Sequence, residues 1–262
     1  MLRNQQQLDM KKIMFLAIVL AMAIPAKAQE TVYIYMQYRQ VDPSQSAEFE
    51  RREIEYWSKV AKAAMDKGDM LGWVLAKRMD QGGNHNYVFA NVFSSIEDFD
   101  ENIWTSDVME ALPVPVEEAT TEGMSSTVGD MIVKSEAYWF NGGNKYWVWN
   151  YGQPDDVQGF IDENKTLWGP WFQRHSKEGN IPTKSWELYR VLAPATSKHA
   201  SVLTIDGFDT YSDAIQHCGG VLLPNDLDGW EDIQKNSNMS EIMPDGFGAR
   251  VVYQRIHSVY AD

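Results

Sequence analysis

Apolar, aromatic and polar positions recur along the chain in the same order twice. An offset of 111 residues aligns the two stretches without gaps and pairs Tyr35 with Tyr146, Pro43 with Pro154, Phe49 with Phe160, Trp57 with Trp168 and Gly68 with Gly179. The identities are few, but the residue types are rare and each pair has the same local role. The pattern therefore predicts an internal duplication.

Each copy begins with a run of aromatic and β-branched residues that is typical of a strand, at 32–36 and at 146–149. A helix follows in each copy. The matched proline stands at its first turn, where a missing N–H costs nothing. The matched glycine ends it, because the position after a helix favours a positive φ.

Beyond the glycines the alignment shifts by two residues, so that Trp73 matches Trp186 in a second predicted strand. The pattern then predicts a third strand, a short helix and a last strand in each copy, at 86–93, 96–103 and 130–140 and at 199–205, 208–217 and 249–260. Both copies have the order β-α-β-β-α-β, which is the ferredoxin-like motif of an α+β fold. The insertions at 105–126 and 218–245 are predicted to be loops with one or two helical turns, where a function could be grafted.

The N-terminus has the composition of a signal peptide. A basic start at Met10-Lys11-Lys12 is followed by the apolar run 13–24, which is too short to span a bilayer, and by the small residues Ala26 and Ala28. We expect cleavage after Ala28 and an exported, periplasmic or secreted, soluble product. Residues 1–9 are interpreted as an upstream extension, and the predicted repeats cover 29–141 and 142–262.

The charge of the chain excludes two classes of partner. The net charge is −14, and it becomes −17 once the four cations and one carboxylate of residues 1–28 are removed. So acidic a protein repels nucleic acid and anionic membrane surfaces. Cys218 is the single cysteine, so no internal disulfide can stabilise the exported chain. After Ile24 no apolar run approaches the length of a membrane helix.

A four-stranded sheet with helices on one face leaves its other face bare, and the sister sheet is the simplest cover. The two copies are thus expected to form an intrachain pseudo-dimeric barrel. This arrangement resembles the dimeric α+β barrel superfamily, which includes antibiotic-biosynthesis-monooxygenase-like, EthD-like and NIPSNAP-like proteins. The resemblance covers Thr31 to Tyr260 and depends on the topology and on the matched Pro, Trp and Gly pairs.

The resemblance implies a ligand cleft in each unit, between the sheet and its helices. Members of the superfamily include cofactor-free oxygenases, haem-active enzymes, isomerases, cyclases and proteins without known chemistry, and the fold alone does not choose among them. Haem-degrading members use an Asn, a Trp and a His together. Asn150, Trp168 and His175 are present here only as a loose set, so that role is not transferred, and no motif indicates a cofactor.

The first helix of copy two suggests where a site could lie. Trp168, Trp171 and His175 share one stripe at helical spacing, whereas copy one has Val60 and Ala64 at the last two of these positions. Either the larger side chains fill the cleft of copy two and leave the cleft of copy one roomier, or copy two has gained a polar group. His175 is the one catalytic candidate, and its alternative is a core histidine that bonds a backbone carbonyl.

Two further cationic residues, Arg190 and His257, lie on predicted strands of copy two and could line the same cleft. Surface ion pairs are the alternative explanation for them. The ligand-binding candidates are therefore Asn150, Trp168, Trp171, Arg190 and His257. The five histidines never have the spacing of a zinc or non-haem iron site.

These observations predict an exported barrel that binds a small hydrophobic or aromatic ligand in copy two, as a monomer whose further association is left open. Its activity would be that of a cofactor-free or haem-related oxygenase-like, or an isomerase-like, enzyme. The alternative is a non-enzymatic periplasmic binding or assembly protein that uses the two insertions as its contact surface.

Overall fold

The computed structural model describes residues 30–80, 82–100, 102–221 and 227–261 of the 262-residue chain. The predicted signal peptide lies outside the described residues. Within the described part, no helix has the length and apolar character needed to cross a membrane.

The first half has four strands, with helical elements between the first and second strands and between the third and fourth strands. In chain order these are β1 (Tyr33–Val41), a 3-10 turn (Pro43–Gln45), α1 (Ser46–Arg52), a π-helical segment (Glu53–Trp57), α2 (Ser58–Lys67), β2 (Gly72–Arg78), β3 (Tyr87–Phe93), a 3-10 turn (Glu97–Asp100), α3 (Ser106–Met109), α4 (Val116–Ala119) and β4 (Ser125–Phe140). The predicted helix at 96–103 is thus only a 3-10 turn, and the first insertion contains two short helices as expected.

The second half repeats this order. It consists of β5 (Tyr146–Gly152), α5 (Val157–Glu163), a π-helical segment (Asn164–Trp168), α6 (Gly169–Glu178), β6 (Ser185–Ala193), β7 (Val202–Phe208), α7 (Tyr211–Cys218), α8 (Trp230–Asn236), α9 (Met239–Ile242) and β8 (Phe247–Tyr260). The third strand begins three residues later than predicted, because the apolar and β-branched run that pairs with β5 starts at Val202.

The eight strands form one closed antiparallel barrel in the order β1-β3-β2-β8-β5-β7-β6-β4, with β4 pairing back onto β1. Each half therefore contributes four neighbouring strands in the same ferredoxin-like order, and the halves join at β2–β8 and β4–β6. The predicted α+β fold with an intrachain pseudo-dimeric barrel is confirmed. The closure satisfies the strand edges of both sheets.

Side chains alternate between the two faces of each strand, which places one core inside the barrel and others under the helices. All eight strands contribute to the inner cluster, which includes Met36, Val88, Trp149 and Tyr253. The outer face of the first half packs against α1 and α2 around Phe49, Val60 and Leu75. The repeat boundary predicted at 141/142 falls in the turn between β4 and β5 and stays a prediction.

The helix ends follow the matched residues of the two copies in part. Gly68 and Gly179 end α2 and α6 with φ of 86° and 77°, as predicted. In the first half Pro43 opens the 3-10 turn. In the second half Pro154 precedes the helix instead of lying in its first turn, because Asp156 is the N-cap and accepts a hydrogen bond from the Gly159 N–H.

Candidate functional site

Each half has a cleft between the outer face of its strands and its helices. The first cleft has a volume of about 600 Å³ and lies between β1, β3 and the first π-helical segment. The second cleft lies at the corresponding place in the second half and has about 250 Å³. The larger cleft is therefore in copy one, whereas the sequence favoured copy two.

A carboxyl group stands inside the first cleft. Glu53 is only 5% exposed, and its Oε1 accepts a hydrogen bond from the Thr121 hydroxyl at 3.0 Å. It forms no ion pair with any residue that the structure describes. A buried carboxylate without a counter-charge is costly to ionise.

Burial raises the pKa of Glu53 to about 7, although the hydrogen bond from Thr121 and the positive charge of Arg39 both act to lower it. Desolvation prevails because the guanidinium of Arg39 is directed to Ser125 and Thr127, with N–O distances of 2.6 to 3.2 Å. At neutral pH the carboxyl group of Glu53 is therefore divided between its acid and base forms. Such a group can accept or release a proton near physiological pH.

The rest of the first cleft combines aromatic walls with polar side chains, which include Gln37, Arg39, Asp98 and Asn102. Asn91, on β3, is 8% exposed, and its Oδ1 accepts no hydrogen bond from the residues described. Apolar contact is provided by Trp57, Trp73, Phe89, Phe93, Phe99, Ile103 and Trp104. The cleft thus offers an unsatisfied acceptor and a titratable carboxyl to a ligand held between aromatic rings.

Both clefts are built on a π-helical segment at the same place in the repeat. The segment begins with the polar residue, Glu53 or Asn164, and ends with Trp57 or Trp168, and all four side chains line their cleft. The wide turn of a π-helix is found often at functional sites. Trp57 is fixed by its indole N–H, which donates to the carbonyl of Ala119 at 3.0 Å.

The second cleft has a different set of polar groups. The Asp206 carboxylate accepts a hydrogen bond from the Asn150 amide at 2.6 Å and faces Nε2 of His217 at 3.2 Å. Asn164 is satisfied within its own helix, because its amide donates to the carbonyl of Phe160. The duplicated positions have therefore diverged: Glu53 and Asn91 correspond to Asn164 and Asp206.

Solved structures share this architecture. An anthrone oxidase-like protein has a TM-score of 0.54 at 13% identity, over 89% of this chain and 94% of its own. A monooxygenase-like protein from Lactobacillus acidophilus NCFM has a TM-score of 0.50 at 9% identity, over 89% and 97% of the two chains. One from Fusobacterium nucleatum has a TM-score of 0.50 at 8% identity, over 89% and 95%.

This chain has the dimeric α+β barrel fold. The resemblance seen in the sequence is thereby confirmed for the architecture. No protein-family model and no curated protein matches the sequence. At these identities the likeness to other dimeric α+β barrels concerns the fold, and the chemistry must be argued from the side chains of this barrel.

The structure places His175 away from both clefts of the barrel. Its ring is 1% exposed; Nε2 lies 3.0 Å from the carbonyl of Asp228, and Nδ1 lies 3.0 Å from the Asn180 amide. Trp171 packs on the same ring and donates its indole N–H to Asp228. These contacts join α6 to the segment before α8. The catalytic role of His175 stays a prediction.

The other predicted ligand-binding residues are divided between different places in the barrel. Asn150 and Trp168 line the second cleft together. Arg190 instead contacts Glu136 and Gln158 on the surface. His257 packs against Trp73 of the first half, with ring centres 6.2 Å apart, because β8 crosses over to pair with β2. Arg190 and His257 thus do not share a cleft.

A haem would need an iron ligand and a cavity of sufficient size in one of the two clefts. Iron is held by His, Cys, Met or Tyr, and among the described residues of the first cleft only Tyr35 is of that kind, with its hydroxyl directed to Asp130. The second cleft contains His217, Met239 and Met243, but its 250 Å³ is below the usual size of a pocket for even a drug-sized ligand. The residues present do not fit a haem. Nor do any three His, Cys, Asp or Glu side chains of the described ranges form a metal-ligating group.

Proposed function

We propose that this protein binds a planar, largely apolar aromatic molecule in the first cleft and that Glu53 removes a proton from it. The observation that carries the proposal is the buried carboxyl group of Glu53, which forms no ion pair within the described ranges and lines a cavity of about 600 Å³ with aromatic walls. A cavity of this size is typical of a site for a small molecule.

The walls of the cleft favour an aromatic ligand. Trp57 comes from the π-helical segment, Trp73 and Phe89 from the sheet, and Phe99 and Trp104 from the segment after β3. Aromatic rings that approach from several sides favour a flat ligand through stacked and edge-to-face contacts. The unsatisfied Oδ1 of Asn91 supports a hydroxyl donor on that ligand, since an unpaired buried acceptor is costly.

Proton removal is the step that Glu53 is suited to perform. A base is most effective when its pKa lies near the working pH, and burial raises the pKa of Glu53 to about 7. The nearby charge of Arg39, which acts on Glu53 through space, would also stabilise the negative charge that the ligand gains. The substrate class is therefore an aromatic compound with an acidic C–H or O–H bond.

The names of the structural neighbours, anthrone oxidase-like and monooxygenase-like, support oxygen as the second reactant. Anthrone is a suitable probe because its C10 methylene is acidic. Loss of one C10 proton to Glu53 leaves an electron-rich anion, which transfers electrons to O₂. In the balanced reaction one O₂ is consumed per anthrone, one oxygen atom enters the quinone carbonyl, and the other leaves as water with the two C10 hydrogens.

Oxygen uptake with anthrone tests the proposal. We expect the protein to accelerate uptake and the substitution Glu53→Gln to lower kcat by about 10² to 10⁴, the usual contribution of a general base. Anthrone binding, followed by quenching of tryptophan fluorescence, should persist in that variant. Glu187→Gln is the matched control, because desolvation also raises the pKa of the half-buried Glu187 to about 7, but Glu187 does not line the first cleft.

Two results would contradict the proposal. Equal rates of oxygen uptake for Glu53→Gln and the unmodified protein would show that Glu53 is not the general base. Binding of anthrone without any oxygen uptake would instead assign the cleft to a non-enzymatic binding protein, the alternative that the sequence left open.

We further propose that the protein acts outside the cytoplasm. The support is the basic, apolar and small-residue order of residues 10–28. The mass of the product expressed with its own N-terminus should correspond to a chain that begins at Gln29. An uncleaved product would contradict export by this route.

A further inference from the structure

The inside of the barrel contains a third cavity, which is separate from both clefts. It has a volume of about 450 Å³ and reaches from the turn Gly142–Asn144 into the barrel. Its inner walls are apolar and include Ile34, Met36, Val74 and Ile205. We call this cavity the lumen and its end near Asn144 the mouth.

The opposite end of the barrel is closed by polar aromatic contacts. The hydroxyls of Tyr38 and Tyr151 lie 3.2 Å apart, and the Tyr253 hydroxyl lies 2.7 Å from Nε2 of His85. The rings of Tyr38 and His85 also pack edge-on at 4.8 Å. The lumen is therefore a tube that is closed at one end, and a ligand would enter it only through the mouth.

Polar atoms without partners line this apolar tube. The indole N–H groups of Trp147 and Trp149 and Oδ1 of Asn144 are buried and have no hydrogen-bond partner among the described residues. All three residues line the lumen and are less than 9% exposed. Two unpaired donors on adjacent inward positions of β5 indicate a ligand that carries oxygen acceptors.

The charged side chains at the mouth indicate the charge of that ligand. Arg255 lines the lumen, with its guanidinium 5.7 Å from the ring centre of Trp147. Lys145 and Lys184 lie beside it at the same end, together with Asp209. None of these three cations forms an ion pair with a carboxylate in the described ranges, although the chain has a net charge of −14. Cations without an ion pair in so acidic a protein favour an anion.

We propose that the lumen is a second ligand site, for a linear anionic amphiphile whose apolar chain lies inside the barrel and whose carboxylate lies at the mouth. Arg255 would bind the carboxylate and the Trp147 N–H would donate to it. Glu187, which also lines the mouth, accepts a hydrogen bond from the Tyr189 hydroxyl. Burial raises its pKa to about 7, so protonation of this side chain lowers the repulsion that an incoming anion meets.

Calorimetric titration of the full-length protein with dodecanoate tests this site. We expect one molecule to bind per chain, and dodecanol, which has the same chain without the charge, to bind more weakly. Arg255→Gln should weaken dodecanoate binding by about ten- to a hundredfold, the value of a hydrogen bond to a charged group. Ala90→Leu, which adds bulk inside the lumen, should weaken the binding of both probes.

Trp73→Phe is the control variant, because Trp73 lines the first cleft and not the lumen; it should leave dodecanoate binding unchanged. The proposal would be overturned by an absence of binding, by equal affinity in Arg255→Gln and the unmodified protein, or by loss of binding in Trp73→Phe. Thermal melting without ligand checks that each variant is folded. If Ala90→Leu does not fold, Arg255→Gln still tests the site, because Arg255 lies at the mouth and its substitution leaves the barrel core intact.

Discussion

The hydroxyl of Thr121 donates a hydrogen bond of 3.0 Å to the carboxylate of Glu53, two residues that are far apart in the sequence. Thr121 lies between α4 and β4, in the first insertion, whereas Glu53 opens the π-helical segment. The insertion therefore helps to set the protonation of the one buried carboxyl in the first cleft. It is part of the site and not merely a surface loop.

This contact gives a prediction for Thr121→Val, which keeps the shape of the side chain and removes the donor. The hydrogen bond stabilises the ionised form and lowers the pKa of Glu53, so its loss should raise that pKa above 7. If Glu53 is a base, activity rises with pH, and the midpoint of the rise should move upward in the variant. An unchanged midpoint, with binding intact, would show that Thr121 does not act on Glu53.

Stability should depend on pH through Glu53. Its folded pKa of about 7 is higher than its ordinary value of 4.5, so the unionised form favours folding. The contribution is fully present below pH 4.5 and is lost as the pH rises through 7. The quantity to compare is the free energy of unfolding of Glu53→Gln minus that of the unmodified protein. This difference should be larger at pH 8 than at pH 4 by about 3 kcal/mol.

Denaturant unfolding of both proteins across this range measures the difference. Glu187→Gln should give a curve of the same sign, because burial also raises its pKa to about 7. If the difference in the free energy of unfolding between Glu53→Gln and the unmodified protein stays constant from pH 4 to pH 8, the Glu53 carboxyl has an ordinary pKa.

The close approach of β7 to β6 at Gly207 leaves no room for a side chain. A Cβ there would lie 2.2 Å from the hydroxyl oxygen of Ser185 and 2.7 Å from the amide of Asn144, which are themselves hydrogen-bonded at 2.8 Å. Gly207→Ala should therefore lower the free energy of unfolding by about 1–3 kcal/mol, the usual cost of overpacking.

Gly143→Ala is the matched control for this variant, because a Cβ at Gly143 would meet no atom within 4 Å. Thermal or urea unfolding should show little change there. Equal stability for Gly207→Ala and Gly143→Ala would contradict the packing described at the mouth of the lumen.

The contacts of His175 predict a structural effect for His175→Ala. Removal of the ring deletes its contacts with the carbonyl of Asp228 and the amide of Asn180 and opens a cavity next to Trp171. The free energy of unfolding should fall by about 2–4 kcal/mol, while oxygen uptake with anthrone should stay unchanged at temperatures where the variant is folded. A loss of uptake in folded His175→Ala would restore this residue as a catalytic candidate.

Much of the architecture followed from local patterns. The repeated strand runs and the glycines at 68 and 179 are fixed by chemistry near in sequence, and closure of the barrel followed from the need to cover two apolar sheet faces. The prediction that Pro154 stands in the first turn of its helix was wrong, because Asp156, two residues later, is the N-cap. The site could not be found in the same way.

Glu53 was visible in the sequence as a carboxylate on an apolar helix stripe, between Phe49 and Tyr56. Its burial, however, depends on Thr121 and on the sheet, and these contacts cross long stretches of sequence. The pairing of Asp206 with His217 was missed for the same reason, although an Asp inside the apolar run of β7 was a signal. The lumen depends on inward positions of all eight strands, which only the closed barrel brings together.

The central claim is that Glu53 removes a proton from an aromatic ligand, and hydrogen exchange tests this step without oxygen. Under nitrogen in D₂O, NMR should show that the protein accelerates replacement of the C10 hydrogens of anthrone by deuterium. The account predicts that Glu187→Gln keeps this acceleration and that Glu53→Gln lowers it by about a hundredfold or more. Equal exchange rates in Glu53→Gln and the unmodified protein would contradict it.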